Sequence, residues 1–246
     1  MTPQELYRAG ELDQAIKALG EELRSNPLDA KRRTFLFELL CFAGEWDRAE
    51  KQLDVLADRD AKNAPGILVY RSALYAERIR QEMFRTKSFP KKEAGDTPPS
   101  GTWNDEPFTR LADADSTFGD SIEVFIAGDY VWVPTKYIER LEVEPPTDLR
   151  DLLWARARIQ ASPKFRLQEL GEVLLPVLAP LTSTHPDNAV RLGRTSVWEQ
   201  QPDGEEMLFG QKLLFMDGEE VPLLESRSII WASDAEPASE PVDAAT

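Results

Sequence analysis

The heptapeptide AGELDQA at residues 9–15 returns as AGEWDRA at residues 43–49, 34 residues later and identical at five of seven positions. This period makes the chain write one supersecondary unit twice, and such a unit buries its apolar face only by stacking on its neighbours. Leu12, Ala15, Ile16, Leu19 and Leu23 follow one helical face. Gly10 and Gly44 fall where a helix ends in the left-handed conformation. Asp13 and Asp47 fall in the first turn of the next helix, against the positive end of its dipole. Leu12 and Trp46 cover the turn, and Ala15 and Ala49 let two backbones approach. Pro27 in SNP closes the first unit. Residues 30–43, AKRRTFLFELLCFA, are apolar nearly all round after a basic start, as in a helix buried between neighbours. Trp46, Ala49, Leu53 and Leu56 predict another helix, and residues 66–85 a last one.

A period of 34 is that of a tetratricopeptide-like repeat, so the spacing predicts a helical domain over residues 1–89. Residues 86–102, TKSFPKKEAGDTPPSGT, change character, and 90–112 reads as a linker. Residues 113–231 read as a mainly antiparallel, β-rich domain, so the fold class is α+β. SIEVFIAGDYVWVP (121–134) predicts a hairpin about Gly128-Asp129, and YIERLEVE (137–144) a third strand. The latter half of 144–160 fits helix or strand. EVLLPVLAPL (172–181), TSVWEQ (195–200), EMLFGQKLLFMDGEEV (206–221) and LLESRSIIW (223–231) are further strand candidates. The acidic, proline-containing tail 232–246 reads as disordered.

Net charge is −15, and it is confined: residues 1–89 balance to zero, and 90–246 hold the excess. Phosphate contact needs a clustered basic surface, so nucleic acid is not an expected partner. One cysteine, Cys41, precludes an internal disulfide, and a single histidine, His185, leaves too few ligands for a structural zinc. His185, in the polar run THPDN, reads as a surface histidine. The N-terminus lacks an apolar leader core, and VLLPVLAPL (173–181) is too short for a bilayer, so a cytoplasmic, non-membrane protein is expected. No Gly-rich phosphate loop or nucleophile elbow occurs. DADSTFGD (113–120) begins like a calcium loop but places Phe118 and Val124 where glycine and glutamate belong. Asp148 and Asp151 around Arg150 read as local caps or ion-pair partners rather than a catalytic carboxylate pair. No catalytic, metal or cofactor site is predicted, and the expectation is that the chain is not an enzyme.

Three blocks carry a resemblance. NPLDAKRRTFLFELLCFAGEWDRAEKQL, then DADSTFGDSIEVFIAGDYVWVPTKYIERLEVEPPTDLRDLLWARARI, then RLGRTSVWE with FGQKLL follow in the order of the ImpE family, also called SciE or TagJ. The segment before DADSTFGD is contracted relative to the family. The resemblance implies a cytoplasmic accessory factor of bacterial type VI secretion. Its implied partner is the N-terminal helical segment of the small, TssB-type contractile-sheath subunit and, through it, the sheath-disassembling ATPase. In tetratricopeptide stacks the first helix of each pair lines the concave side. With the register set by Gly10 and Gly44, that side carries Tyr7, Arg8, Lys31, Phe35, Glu38 and Phe42, then Tyr75. The bland alternative makes Phe35, Phe42 and Tyr75 core. A general peptide-binding adaptor, or an enzyme with a site in the acidic β-rich part, are the competing functions.

Overall fold

The computed structural model describes residues 1–58, 64–91, 99–162, 165 and 170–232. Five helices come first: α1 (Pro3–Arg8), α2 (Leu12–Ser25), α3 (Ala30–Phe42), α4 (Trp46–Ala57) and α5 (Ala64–Thr86). Thr2 and Glu5 form a reciprocal cap on α1, and the Asp29 carboxylate accepts the Arg32 N–H at 3.0 Å to start α3.

The two heptapeptides adopt one geometry. The Gly10 and Glu11 N–H groups donate to Tyr7 and Leu6 carbonyls at 3.0 and 2.9 Å. The Gly44 and Glu45 N–H groups donate to Cys41 and Leu40 at 3.1 and 2.9 Å. Both are Schellman closures, and the glycines stand at φ +84° and +71°. Ala15 and Ala49 are fully buried, and Asp13 and Asp47 lie in the first turns of α2 and α4. Each helix packs on the next from α1 through α5, an arrangement compatible with a tetratricopeptide-like stack.

The remainder is antiparallel. β1 (Gly101–Trp103), β2 (Glu106–Phe108), β4 (Ser121–Ile126), β5 (Asp129–Pro134), β6 (Ile138–Val143), β7 (Trp154–Ala161), β8 (Gly171–Pro176) and β13 (Ser228–Trp231) form one sheet, in the order β2-β1-β13-β6-β7-β8-β4-β5. β3 (Leu111–Asp113), β11 (Leu213–Met216) and β12 (Glu219–Pro222) form a second, and β9 (Val197–Gln200) with β10 (Glu206–Phe209) a ribbon. A short helix, α6 (Asn188–Arg191), precedes the ribbon. One face of the large sheet sends Leu141, Ala157, Ile159 and Val173 into a core shared with Leu111, Leu214 and Leu223 of the small-sheet layer. The other face sends Phe125, Trp154 and Leu174 into the core of the helices. The order is therefore helices, large sheet, small sheet, and the two parts share a core.

Several expectations change. Residues 101–112, expected in the linker, carry β1, β2 and most of β3. Three-residue strands are too short to show alternation, and β1 is recognisable only through its pairing with β13 and β2. The β4–β5 hairpin turns at Ala127-Gly128, one residue earlier than expected, with Ile126 opposite Asp129 and both turn residues at positive φ. The 144–160 ambiguity resolves into a 3₁₀ turn over Leu149–Leu152 followed by strand β7. The tail from 233 onward lies outside the described residues.

The two glycine turns differ in their surroundings. A Cβ on Gly44 would lie 2.5 Å from Ser183 Oγ and 2.8 Å from its Cβ, whereas one on Gly10 would find nothing nearer than Arg194 Nη1 at 3.6 Å. Gly10→Ala is expected to cost about 1–2 kcal/mol from its left-handed backbone alone. Gly44→Ala is expected to cost more, and its melting temperature in circular dichroism should fall several degrees further. Equal shifts would contradict the Ser183 contact.

Candidate partner-binding surfaces

The structure separates the residues expected on the concave side. Tyr7 and Phe35 meet edge to face, with centroids 5.9 Å apart. Arg194 lies 5.0 Å over the Tyr7 ring and donates to the Tyr7 and Arg8 carbonyls at 2.5 and 3.0 Å. It thereby places a cation at the C-terminus of α1. Arg8 and Lys31 are exposed beside this pair. Glu38 and Phe42 are buried, Phe42 to 1% exposure, so neither offers a surface to a ligand. The β-rich part is seated here: Leu153, Trp154, Leu178 and Leu192 join the core that holds α3. Tyr75 is 61% exposed on α5.

Glu38 belongs to an internal contact with consequences for pH. Its carboxyl is pushed up to about 7, chiefly by burial, with Arg150 opposing and Asp148 and Asp151 adding to the rise. Arg150 also lies 5.0 Å over the Tyr70 ring. Asp151 accepts the Thr147 and Asp148 N–H groups at 2.8 and 2.9 Å, the capping role expected for this pair. His185 is not a free surface group. Its side chain is 8% exposed, accepts the Asp187 N–H at Nδ1 (3.0 Å) and meets Glu199 through Nε2 at 3.0 Å.

A buried charge cluster, which no sequence motif announced, joins α5 to the sheet. Arg80 donates through Nε and Nη2 to the two oxygens of Glu123 at 2.7 and 2.8 Å, through Nη1 to Glu77 at 2.9 Å, and to the Leu178 carbonyl at 2.8 Å. Lys212 bridges Glu123 and Asp113 and lies 3.8 Å from the Phe118 ring centroid. Tyr130 donates to Glu123 at 2.8 Å and Trp154 to Glu77 at 3.0 Å. Burial pushes Asp113 up to about 6 against the pull of Lys212, while Arg80 and Lys212 overcome burial to hold Glu123 below its usual range. DADSTFGD thus brings Asp113 and Phe118 to Lys212. A signal for part of this was present: Ala73, Ala76, Glu77, Arg80 and Phe84 share one buried face of α5.

Among the described residues, exposed large apolar side chains concentrate on α5, at Leu68, Val69, Tyr75 and Ile79. Leu68 and Val69 border a cleft of about 1010 Å³ between α5, the Ala127-Gly128 turn and strands β6 to β8. Its floor is a charged row, Glu142 opposite Arg158 and Arg158 opposite Glu172, with Arg156 opposite Leu174 alongside.

The family model described as ImpE protein matches residues 105–230. The type VI secretion system accessory component TagJ of Pseudomonas aeruginosa is 34% identical over 264 residues, covering 93% of this chain and 90% of that protein. The chain belongs to the ImpE family. Its fold is also that of protein VPA1032 from Vibrio parahaemolyticus, at a TM-score of 0.81 and 22% identity, covering 94% of this chain and 98% of that one. The TagJ alignment, at 264 positions, is longer than the 246 residues of this ImpE-family chain, so the relative carries residues in it that this chain lacks. No helix among the described residues is long and apolar enough to cross a membrane.

Two substitutions test the internal electrostatics of this ImpE-family protein. With its folded pKa about 7 above the ordinary 4.5, Glu38 holds its proton more tightly in the fold, so its contribution declines as pH rises from about 4.5 through about 7. Glu38→Gln should therefore be more stable than the parent at pH 8 by roughly 3 kcal/mol and nearly equal to it at pH 4, by urea unfolding. A constant difference across that range would refute the assignment. Arg80→Met leaves Glu77 buried without its cation and Glu123 with Lys212 alone, and should cost about 3–5 kcal/mol. A loss under about 1 kcal/mol would show that water reaches the cluster.

Proposed function

We propose that this chain is a cytoplasmic, non-enzymatic accessory component of a type VI secretion system. It binds the N-terminal helical segment of the small, TssB-type sheath subunit and so modulates sheath assembly or disassembly. Likeness to TagJ over nearly the whole chain supports the secretion role. The observation that carries the binding mode is the exposed apolar surface of α5, from Leu68 to Ile79. Exposed apolar side chains grouped on one element mark interaction sites, and a helix laid in a groove is a common way to use them. A non-enzymatic role is supported by the charge cluster. Its carboxylates Glu77, Asp113 and Glu123 are matched internally by Arg80 and Lys212, away from solvent.

The test is calorimetric titration of the full chain with a synthetic peptide of the cognate sheath subunit's N-terminal segment. Saturable binding in roughly the micromolar range is expected. Absence of heat at high micromolar peptide would sink this function. Equal affinity for a scrambled peptide would favour a general peptide-binding adaptor.

A further inference from the structure

The cleft beneath α5 constrains what enters it. Its floor strands β6, β7 and β8 lie inside the sheet, each hydrogen-bonded to a neighbour on both sides. An extended peptide therefore finds no strand edge there to pair with, and its own N–H and C=O groups would lack partners. A helix satisfies its backbone internally. At a helix diameter of about 10 Å, a cleft of about 1010 Å³ holds roughly two turns. The space thus fits a short helical element and is too small for a folded domain.

The walls set the chemistry of that helix. Leu68 and Val69 are 64% and 49% exposed on the α5 side, and half-buried Leu174 rises from β8. The floor offers three carboxylates, Glu142, Glu144 and Glu172, and two guanidiniums, Arg156 and Arg158, and neighbouring Arg140 reaches Glu142 at 3.6 Å. Arg158 reaches Glu172 at 3.6 Å, a pair whose side chains are 66% and 86% exposed, while Arg156 is drawn to Glu144 at 3.3 Å and to Asp151 at 3.6 Å. Exposed pairs of this kind exchange partners at little cost. The cleft floor also lies in the part of the chain that carries the whole −15 excess, whose field favours a positive ligand. Resting on the sheath-segment reading above, we propose that this cleft, rather than the Tyr7–Phe35 side of the helical stack, receives about two turns of a basic amphipathic helix. The apolar side of that helix lies on Leu68, Val69 and Leu174, and its basic side lies over Glu142, Glu144 and Glu172.

The experiment is the same titration, run with the parent, Leu68→Asp, the double variant Glu142→Lys/Glu172→Lys, and Lys31→Glu on the other surface. All four positions are solvent-exposed, and unchanged thermal melts confirm folding. Leu68→Asp and the charge-reversed pair should each weaken binding at least about tenfold, as expected for central contacts. Lys31→Glu should leave it unchanged. Parent binding should weaken with added salt, and less so in the charge-reversed variant. Parent-level affinity in both cleft variants, or loss confined to Lys31→Glu, overturns the cleft assignment while the sheath reading stands. Failure of the parent itself to bind overturns both.

Discussion

The contact between Arg80 and Glu123 organises the molecule. It joins the last helix of the stack to a strand of the sheet, with both side chains almost wholly buried. Apolar layers slide past one another at modest cost. A guanidinium held by two oxygens of Glu123, by Glu77 and by the Leu178 carbonyl cannot shift without stranding a charge in a medium that solvates it poorly. Lys212 extends the same constraint to the small sheet through Asp113. The cluster therefore sets the relative position of all three layers, and with it the cleft between α5 and β6–β8.

The repeat contributes in a second way. Its glycine turns face the β-rich part: Gly44 leaves room for Ser183, and Arg194 binds the carbonyls at the end of α1 beside Gly10. Part of the surface expected to be concave, at Glu38 and Phe42, is closed off within the chain, whose β-rich half joins the same core through Leu153 and Trp154. Phe42 and Glu38 are consequently internal. Among the described residues, the half-buried Tyr7–Phe35 pair and the exposed side chains of α5 stay open on the helical part.

Helical order was legible because its signals are local. Gly10, Gly44, Asp13, Asp47, Ala15 and Ala49 each act within one turn of their own position, and all six take the places their spacing implies. The β4–β5 hairpin was legible for the same reason, although Ala127 at positive φ moved its turn by one residue. β1 and β2 were not, since three residues are too few for a period of two to show. The charge cluster was only half visible. Glu77 and Arg80 mark themselves by sitting on an apolar helix face, whereas Glu123 and Lys212, 89 residues apart, have no local relationship.

By itself the sequence determined the helical repeat, its breaks and caps, the α+β division and the family. These rest on short-range dihedral preferences and on wording shared with relatives. Only the tertiary structure decided which faces remain open, because burial depends on what packs opposite. That is why Phe42 belongs to the core, why Leu68 and Tyr75 face solvent, and why Asp113 and Glu123, two carboxylates of the acidic half, lie sealed around Arg80 and Lys212.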